Sequence, residues 1–155
     1  MSYEPKLEAN DASFKKLVVM GMASFEAGQF AAALDALEQI PPYARPVQTL
    51  SALGYCIALE RGGHKVATQL CNEAIKKDPK NPEHYFQQGR IYLLAGRKKD
   101  AIWVFRMGLR NGKHRGIINA LGELGIRRPP PIVFLDRRNP LNKAIGIILT
   151  RLNLR

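Results

Sequence analysis

The chain has 155 residues, of which 46% are hydrophobic, a length that suits one domain burying roughly 68–70% of its unfolded surface. No apolar run approaches the ~18 residues of a membrane-spanning helix. The first residues lack the basic start and apolar stretch of a secretory signal, so the cytoplasm is the expected compartment.

The charge is uneven along the chain. Residues 1–44 contain three basic and six acidic side chains, residues 45–126 fourteen and six, and residues 127–155 seven and one, for a net charge of +11. The basic excess is therefore densest at the C-terminal end. Such an excess fits nucleic acid, anionic lipid or an acidic protein as a partner, and it equally fits a solvated surface.

Four short stretches of the chain are similar to one another, at 17–28, 50–63, 85–96 and 117–125. Their aligned glycines, spaced by 33, 35 and 33 residues, are Gly21, Gly54, Gly89 and Gly122. A fixed period of this length predicts a repeat architecture built from one supersecondary unit.

A second helical segment follows each of the first three stretches. Each segment has an alanine and, four residues later, a larger side chain; these are Ala33 with Leu37, Ala67 with Cys71, and Ala101 with Phe105. Residues four apart share one face of a helix. We therefore expect antiparallel helix pairs in which a glycine and an alanine permit close approach. Close packing would offset the roughly 1 kcal/mol that Gly89 costs inside a helix.

The pattern resembles the tetratricopeptide repeat (TPR) family. The third repeat carries the resemblance best, with signature positions at Tyr85, Gly89, Tyr92, Gly96, Ala101 and Phe105. The end of the signature is matched in the second repeat by Ala74 and Pro79. The departures from the family pattern are an early end of the first repeat, Ser24 in place of an aromatic residue, Gly108 in place of alanine, and Lys113 in place of proline.

The resemblance, which covers about 14–125, implies an all-α, right-handed α-solenoid of three TPR-like helix pairs, with a capping helix and a proline-rich, partly helical C-terminal tail. Terminal elements of such stacks need a polar outer face. The boundaries that we expect are an N-terminal extension at 1–13, repeats at 14–43, 47–80 and 82–113, a capping helix at 114–126, and a basic tail at 127–155.

In this family the first helix of each pair lines a concave, peptide-binding surface. The resemblance thus implies a groove of apolar residues and one arginine: Val18, Met22, Phe25, Tyr55, Leu59, Phe86, Arg90, Leu93 and Leu94. The same projection adds Lys15, Glu26, Gln48, Ser51, Ala58 and Glu83. Contiguous exposed apolar residues mark interaction sites. The alternative is that several of them are core residues, assigned to the surface by a one-residue error in helix phase.

Some members of the family clamp a C-terminal carboxylate with paired lysines and asparagines. Only Lys15 and Arg90 could serve here, and the asparagines are missing. The sequence therefore argues against that specificity.

The tail begins with three prolines, which favour an extended polyproline conformation. An apolar run follows, consisting of Ile132, Val133, Phe134 and Leu135. Asn139 and Pro140 then predict the start of a basic amphipathic helix at about 140–154. Three roles stay open for the tail: it folds back over the solenoid or into the groove, it mediates self-association or binds a partner, or it lies on an anionic membrane.

Catalysis has little support in the sequence. The three histidines, His64, His84 and His114, are expected to be ordinary surface residues, and no metalloprotease, nucleophile-elbow or phosphate-loop motif is present. Cys56 and Cys71 lack metal-binding or redox spacing and are predicted to be buried free thiols. No enzyme activity, metal or cofactor is expected.

The sequence therefore predicts a non-enzymatic TPR scaffold, adaptor or chaperone-like protein of the small bacterial type. Its partner would be a peptide segment of another protein, bound in the concave apolar groove. The alternative is that the basic surface and tail bind nucleic acid or an anionic membrane. The basic residues of the second and third repeats map mostly to second helices and turns, away from the groove.

Overall fold

The computed structural model describes residues 5–125 and 140–151, with side chains from residue 12 to 125 and at most positions of 140–151. Within these ranges the chain forms α-helices and one 3₁₀ turn at Pro42–Ala44. The helices are α1 (Pro5–Glu26), α2 (Phe30–Glu38), α3 (Val47–Arg61), α4 (His64–Lys77), α5 (Pro82–Leu94), α6 (Lys98–Asn111), α7 (Arg115–Glu123) and α8 (Pro140–Arg151).

The helices pack in consecutive pairs. α1 packs against α2, α3 against α4, and α5 against α6, while α3 also contacts α2 and α5 and so joins the pairs into a stack. The predicted all-α solenoid of three helix pairs is confirmed. The chain divides into two compact units, residues 1–120 and 121–155, and the three pairs lie in the first.

Glycines in the left-handed conformation end the first helix of each pair. Gly28, Gly62 and Gly96 have φ angles of 75°, 65° and 71°, which side chains other than glycine rarely adopt. α5 begins with Asn81, whose side chain accepts a hydrogen bond from the backbone N–H of Glu83. The glycines and the Asn81 cap thus fix where the helices of the pairs end and begin.

The aligned glycines lie where first and second helices touch. A Cβ atom added to Gly21 would lie 2.6 Å from Leu37 Cδ2, and one added to Gly54 would lie 2.8 Å from the carbonyl oxygen of Ala67. The expected close approach is therefore present.

In the first and third pairs the larger side chain, and not the alanine, faces the glycine. A Cβ added to Gly89 would overlap the ring of Phe105, so the phenyl ring fills the space that we expected Ala101 to leave open. Ala101 is nevertheless fully buried. The fourth aligned glycine, Gly122, has no atom of the described residues within 4 Å of an added Cβ.

Two clusters of buried side chains form the core of the stack. The first lies between α2 and α3 and consists of Ala33, Leu34, Leu37, Ile40, Ala52, Leu53 and Cys56. The second joins α3, α4 and α5 and consists of Tyr55, Ala58, Ala67, Cys71 and Ile91. Both cysteines are buried and free, as predicted, and burial raises the pKa of each thiol to about 12. Both sulfurs are therefore neutral thiols at physiological pH.

Some expectations concern the two ends of the chain. α1 begins at Pro5, upstream of residue 14, where the first repeat was expected to start. The apolar run of Ile132, Val133, Phe134 and Leu135 lies outside the described residues. α8 lies within the range that we expected to be helical. None of the helices in the described ranges combines the length and the apolar content that a bilayer crossing needs.

Candidate functional site

A pocket of about 250 Å³ opens on the side of the stack that the first helices face. Its lining comes from all three pairs: Met22, Phe25 and Glu26 from α1, Gln48, Ser51 and Ala52 from α3, and Glu83 and Gln87 from α5. Six of these residues belong to the set projected from the sequence, whereas Ala52 and Gln87 do not. We call this cavity the groove pocket.

The α5 side of the groove pocket is a hydrogen-bonded polar chain. The Gln87 side-chain amide donates to Glu83, and its carbonyl oxygen Oε1 accepts from Arg90 Nη1 at 3.0 Å. The second carboxylate oxygen of Glu83 lies 2.7 Å from His114 Nε2. The lining is therefore more polar than the apolar groove that the sequence predicted.

An aromatic cluster adjoins the groove pocket. Phe25, Phe30 and Tyr55 meet edge to face, with ring centroids 5.2–6.1 Å apart. The guanidinium carbon of Arg90 lies 3.5 Å from the centroid of the Tyr55 ring, within cation–π distance. Burial lowers the pKa of Arg90 from its usual value, and an arginine remains charged at neutral pH.

The cluster overturns one expectation about the groove. Tyr55 was predicted to belong to a contiguous exposed apolar patch, but only 7% of it is exposed. The reason is that Arg90 and the two phenylalanines cover its ring. Tyr55 is therefore part of the core.

The remaining predicted groove residues lie in different places. Val18 lines a second pocket of about 470 Å³ together with Phe14, Lys15, Val19, Ala44 and Pro46. The ring of Phe86 is half-buried, 4.7 Å from the ring of His114. Leu59, Leu93 and Leu94 line neither pocket, and Leu59 and Leu94 are 37% and 42% exposed. The structure thus brings Met22 and Phe25 together in the lining of the groove pocket. Beside it, Phe25 contacts Tyr55, and Arg90 lies near the rings of Tyr55 and Phe86.

His84 is buried, contrary to the expectation that the histidines are ordinary surface residues. Only 1% of it is exposed, because the first turn of α5 packs against α3. Its Nδ1 lies 2.8 Å from Ser51 Oγ, and its Nε2 lies 3.9 Å from the carboxylate of Asp78 without a hydrogen-bond partner among the described residues. The repeat pattern does not signal this contact, since Ser51 aligns with Phe86 and not with His84 when the repeat glycines are aligned.

The Ser51–His84 pair fits a structural role. Ser51 lies inside α3 and is 1% exposed, and the backbone N–H groups around it donate to carbonyls of the preceding turn. Donors held in this way do not stabilise a developing oxyanion. Among the described residues no group of three or more histidine, cysteine or acidic side chains is arranged to hold a metal ion.

The burial of His84 predicts a pH-dependent stability. Burial lowers the pKa of its imidazole, while Asp78 and Glu83 oppose the shift. The unfolded chain takes up a proton near pH 6.5, whereas the folded chain does so only at lower pH, so stability should fall as the pH drops below about 6.5. The limiting slope for one proton is about 1.4 kcal/mol per pH unit.

The test compares urea unfolding of the wild type and His84→Gln between pH 7.5 and 5. Glutamine can still hydrogen-bond Ser51 but does not titrate. The wild type should be the more stable protein at pH 7.5, and the difference should narrow as the pH falls. If the unfolding free energies of the two proteins changed with pH in parallel, His84 would take up its proton as readily in the folded protein as in the unfolded chain.

Comparisons with known proteins bear on this fold. The family profile for the tetratricopeptide repeat matches residues 70–102, from within α4 to the start of α6. The crystal structure of the Sgt2 TPR domain from Aspergillus fumigatus superposes with a TM-score of 0.56 at 18% identity, covering 84% of this chain and 93% of that one.

A second solved structure, MamA MSR-1 C2, reaches a TM-score of 0.40 at 18% identity and covers 76% of this chain and 88% of its own. No curated protein matches the chain. At these identities a structural likeness speaks for the fold alone, and only the first superposition is close enough to carry that argument.

Proposed function

Since the chain is a tetratricopeptide-repeat protein, we propose that it is a non-enzymatic scaffold or adaptor that binds a peptide segment of a protein partner in the groove formed by α1, α3 and α5. The observation that carries the proposal is the groove pocket, whose lining combines residues from the first helix of every pair. A segment bound there would contact all three pairs at once.

Typical distances between packed helices give the length of segment that we expect to fit. Packed helices lie about 8–10 Å apart, so crossing from α1 to α5 over α3 covers roughly 20 Å. An extended chain advances about 3.3 Å per residue, so roughly six residues span the three helices. Met22 and Phe25 would supply apolar contact, and the side chains of Gln48 and Gln87 would fix orientation by hydrogen bonding.

A chaperone-like role and a cytoplasmic location belong to the same proposal. Holding a short segment of another chain is a task shared by adaptors and chaperones, and the groove pocket suits both. Two buried free thiols suit a reducing compartment, where disulfides are rare.

Gln48→Trp is the variant that tests the groove. Gln48 is exposed at the start of α3 and lines the groove pocket, so an indole there should occupy the space of the bound segment without disturbing the core. Random nine-residue peptides displayed on phage are selected on the full chain, and the affinities of the selected peptides are measured by fluorescence anisotropy. We expect Gln48→Trp to weaken binding at least tenfold.

Gln69→Trp is the matched control, because Gln69 is an exposed glutamine of α4 that does not line the groove pocket. It should bind the selected peptides as the wild type does. An equal loss of peptide affinity in Gln48→Trp and Gln69→Trp would contradict the proposed function. So would a selection in which the wild type binds no peptide. Phe25→Ala is less informative, since Phe25 also packs against Phe30 and Tyr55 and its loss would loosen the stack.

A further inference from the structure

We propose that the groove pocket selects a cationic side chain, arginine or lysine, from the bound segment. This inference rests on the proposed function and names the chemistry of its partner. The groove pocket contains two carboxylates, those of Glu26 and Glu83, and none of its eight lining residues is lysine or arginine. In a chain with a net charge of +11, this is a local reversal of sign.

Glu26 is the principal acceptor. It is exposed at the last residue of α1 and makes no hydrogen bond or ion pair with any residue that the structure describes. Several other acidic side chains of the stack are paired, in the ion pairs Glu38–Arg61, Glu73–Lys77 and Asp100–Arg97, and of the unpaired ones only Glu26 lines the groove pocket. The carboxylate of Glu26 therefore keeps its full capacity to accept hydrogen bonds from a ligand.

Glu83 is the second acceptor and is held in place by its neighbours. One oxygen accepts from the Gln87 amide and the other lies against His114 Nε2. A carboxylate has about four acceptor positions, so roughly two remain for a ligand. A guanidinium or ammonium group can fill such positions with charge-assisted hydrogen bonds, which are stronger than neutral ones.

Arg90, the cation that hydrogen-bonds Gln87, does not itself line the groove pocket. Arg90 lies over the ring of Tyr55 and donates to Gln87 Oε1, so its guanidinium is already engaged by the aromatic cluster. Its charge moderates the field of Glu83. Glu26, by contrast, forms no ion pair with a lysine or arginine of the described residues.

The apolar lining fits the stem of a basic side chain. Met22, Phe25 and Ala52 line the same cavity as the two carboxylates. Arginine and lysine bury their methylene stems along apolar surface while the charged head stays among polar groups. An acidic side chain would meet two like charges, and a purely apolar one would leave the carboxylates without compensation for lost water.

The test uses the peptide selection on the full chain described above. We expect the peptides selected by the wild type to share one arginine or lysine beside apolar residues. The best peptide is then resynthesised with that arginine replaced by citrulline, or that lysine by norleucine, so that the charge is removed and no bulk is added. The affinity should fall about tenfold.

Glu26→Gln tests whether the positive charge of the peptide is recognised by the carboxylate of Glu26 in the groove pocket. The substitution keeps the size of the side chain, and a carboxylate at the end of a helix opposes the helix dipole, so α1 should not be destabilised. In this variant the tenfold preference for the charged peptide should shrink to about twofold. Glu73→Gln, an exposed glutamate of α4 outside the groove pocket, should keep the full preference.

The two proposals fail in different ways. Peptides selected without a basic residue, or a charge preference unchanged in Glu26→Gln, would overturn the cationic specificity and leave the groove as a peptide site. If Glu73→Gln lost the charge preference to the same extent, the preference would come from the overall charge of the protein surface. That result would also overturn the cationic specificity of the groove pocket. No selected peptide at all would remove the proposed function itself.

Discussion

Gly89→Ala is expected to lower the free energy of unfolding by about 2 kcal/mol, although alanine is the better helix former by about 1 kcal/mol. The added methyl would overlap the ring of Phe105, which is fully buried. The ring has little room to move aside, because Phe86 packs against it with centroids 6.2 Å apart. Urea unfolding followed by circular dichroism measures the change.

Gly122→Ala is the matched control for this prediction. Gly122 occupies the aligned position of the fourth stretch, but no described atom lies within 4 Å of an added Cβ, so alanine should be neutral or stabilising there. Phe105→Leu should destabilise the wild type yet partly rescue Gly89→Ala, because the smaller side chain makes room for the methyl. A stabilised Gly89→Ala would mean that the ring yields freely and that the glycine is not required for packing.

The pairing of helices could be predicted because close approach restricts what a sequence can contain. A position that tolerates no Cβ must be glycine, so Gly21, Gly54 and Gly89 recur with the repeat period and indicate where first and second helices touch. Gly122 shows the limit of the argument. It aligns with the others, but no described atom lies within 4 Å of an added Cβ, since alignment reports a position in the repeat and not whether a second helix packs there.

The site could be predicted only in part because long side chains cross between repeats. The periodicity places Met22 and Phe25 on the surface of the first helices, where the groove pocket lies. It does not reveal that Arg90 of α5 reaches over Tyr55 of α3 and buries it, since that contact depends on the rotamer of one side chain. The same projection placed Glu26 and Glu83 on this face together with Lys15 and Arg90, and it did not reveal that the two glutamates line the groove pocket while the two basic residues do not.

Arg90→Ala is expected to lower the free energy of unfolding by about 2–3 kcal/mol. Arg90 lies over rings from more than one pair, with its guanidinium carbon 3.5 Å from the centroid of Tyr55, 5.4 Å from Phe86 and 5.7 Å from Phe30. A partly buried cation–π contact contributes about 2 kcal/mol, and the stem of the side chain also covers apolar surface. The truncation would remove both contributions and leave the ring of Tyr55 open to water.

Two further variants separate the charge from the stem. Arg90→Met keeps an apolar stem and should recover part of the loss, while Arg90→Lys keeps the charge but not the flat guanidinium that stacks on a ring. We expect unfolding free energies in the order wild type, then lysine and methionine, then alanine, measured in urea at pH 7.5. In a double-mutant cycle with Tyr55→Leu, Arg90→Met should show a coupling of about 1 kcal/mol. A methionine variant as stable as the wild type, with no coupling, would mean that the charge over the rings contributes nothing and that Arg90 joins the repeats by packing alone.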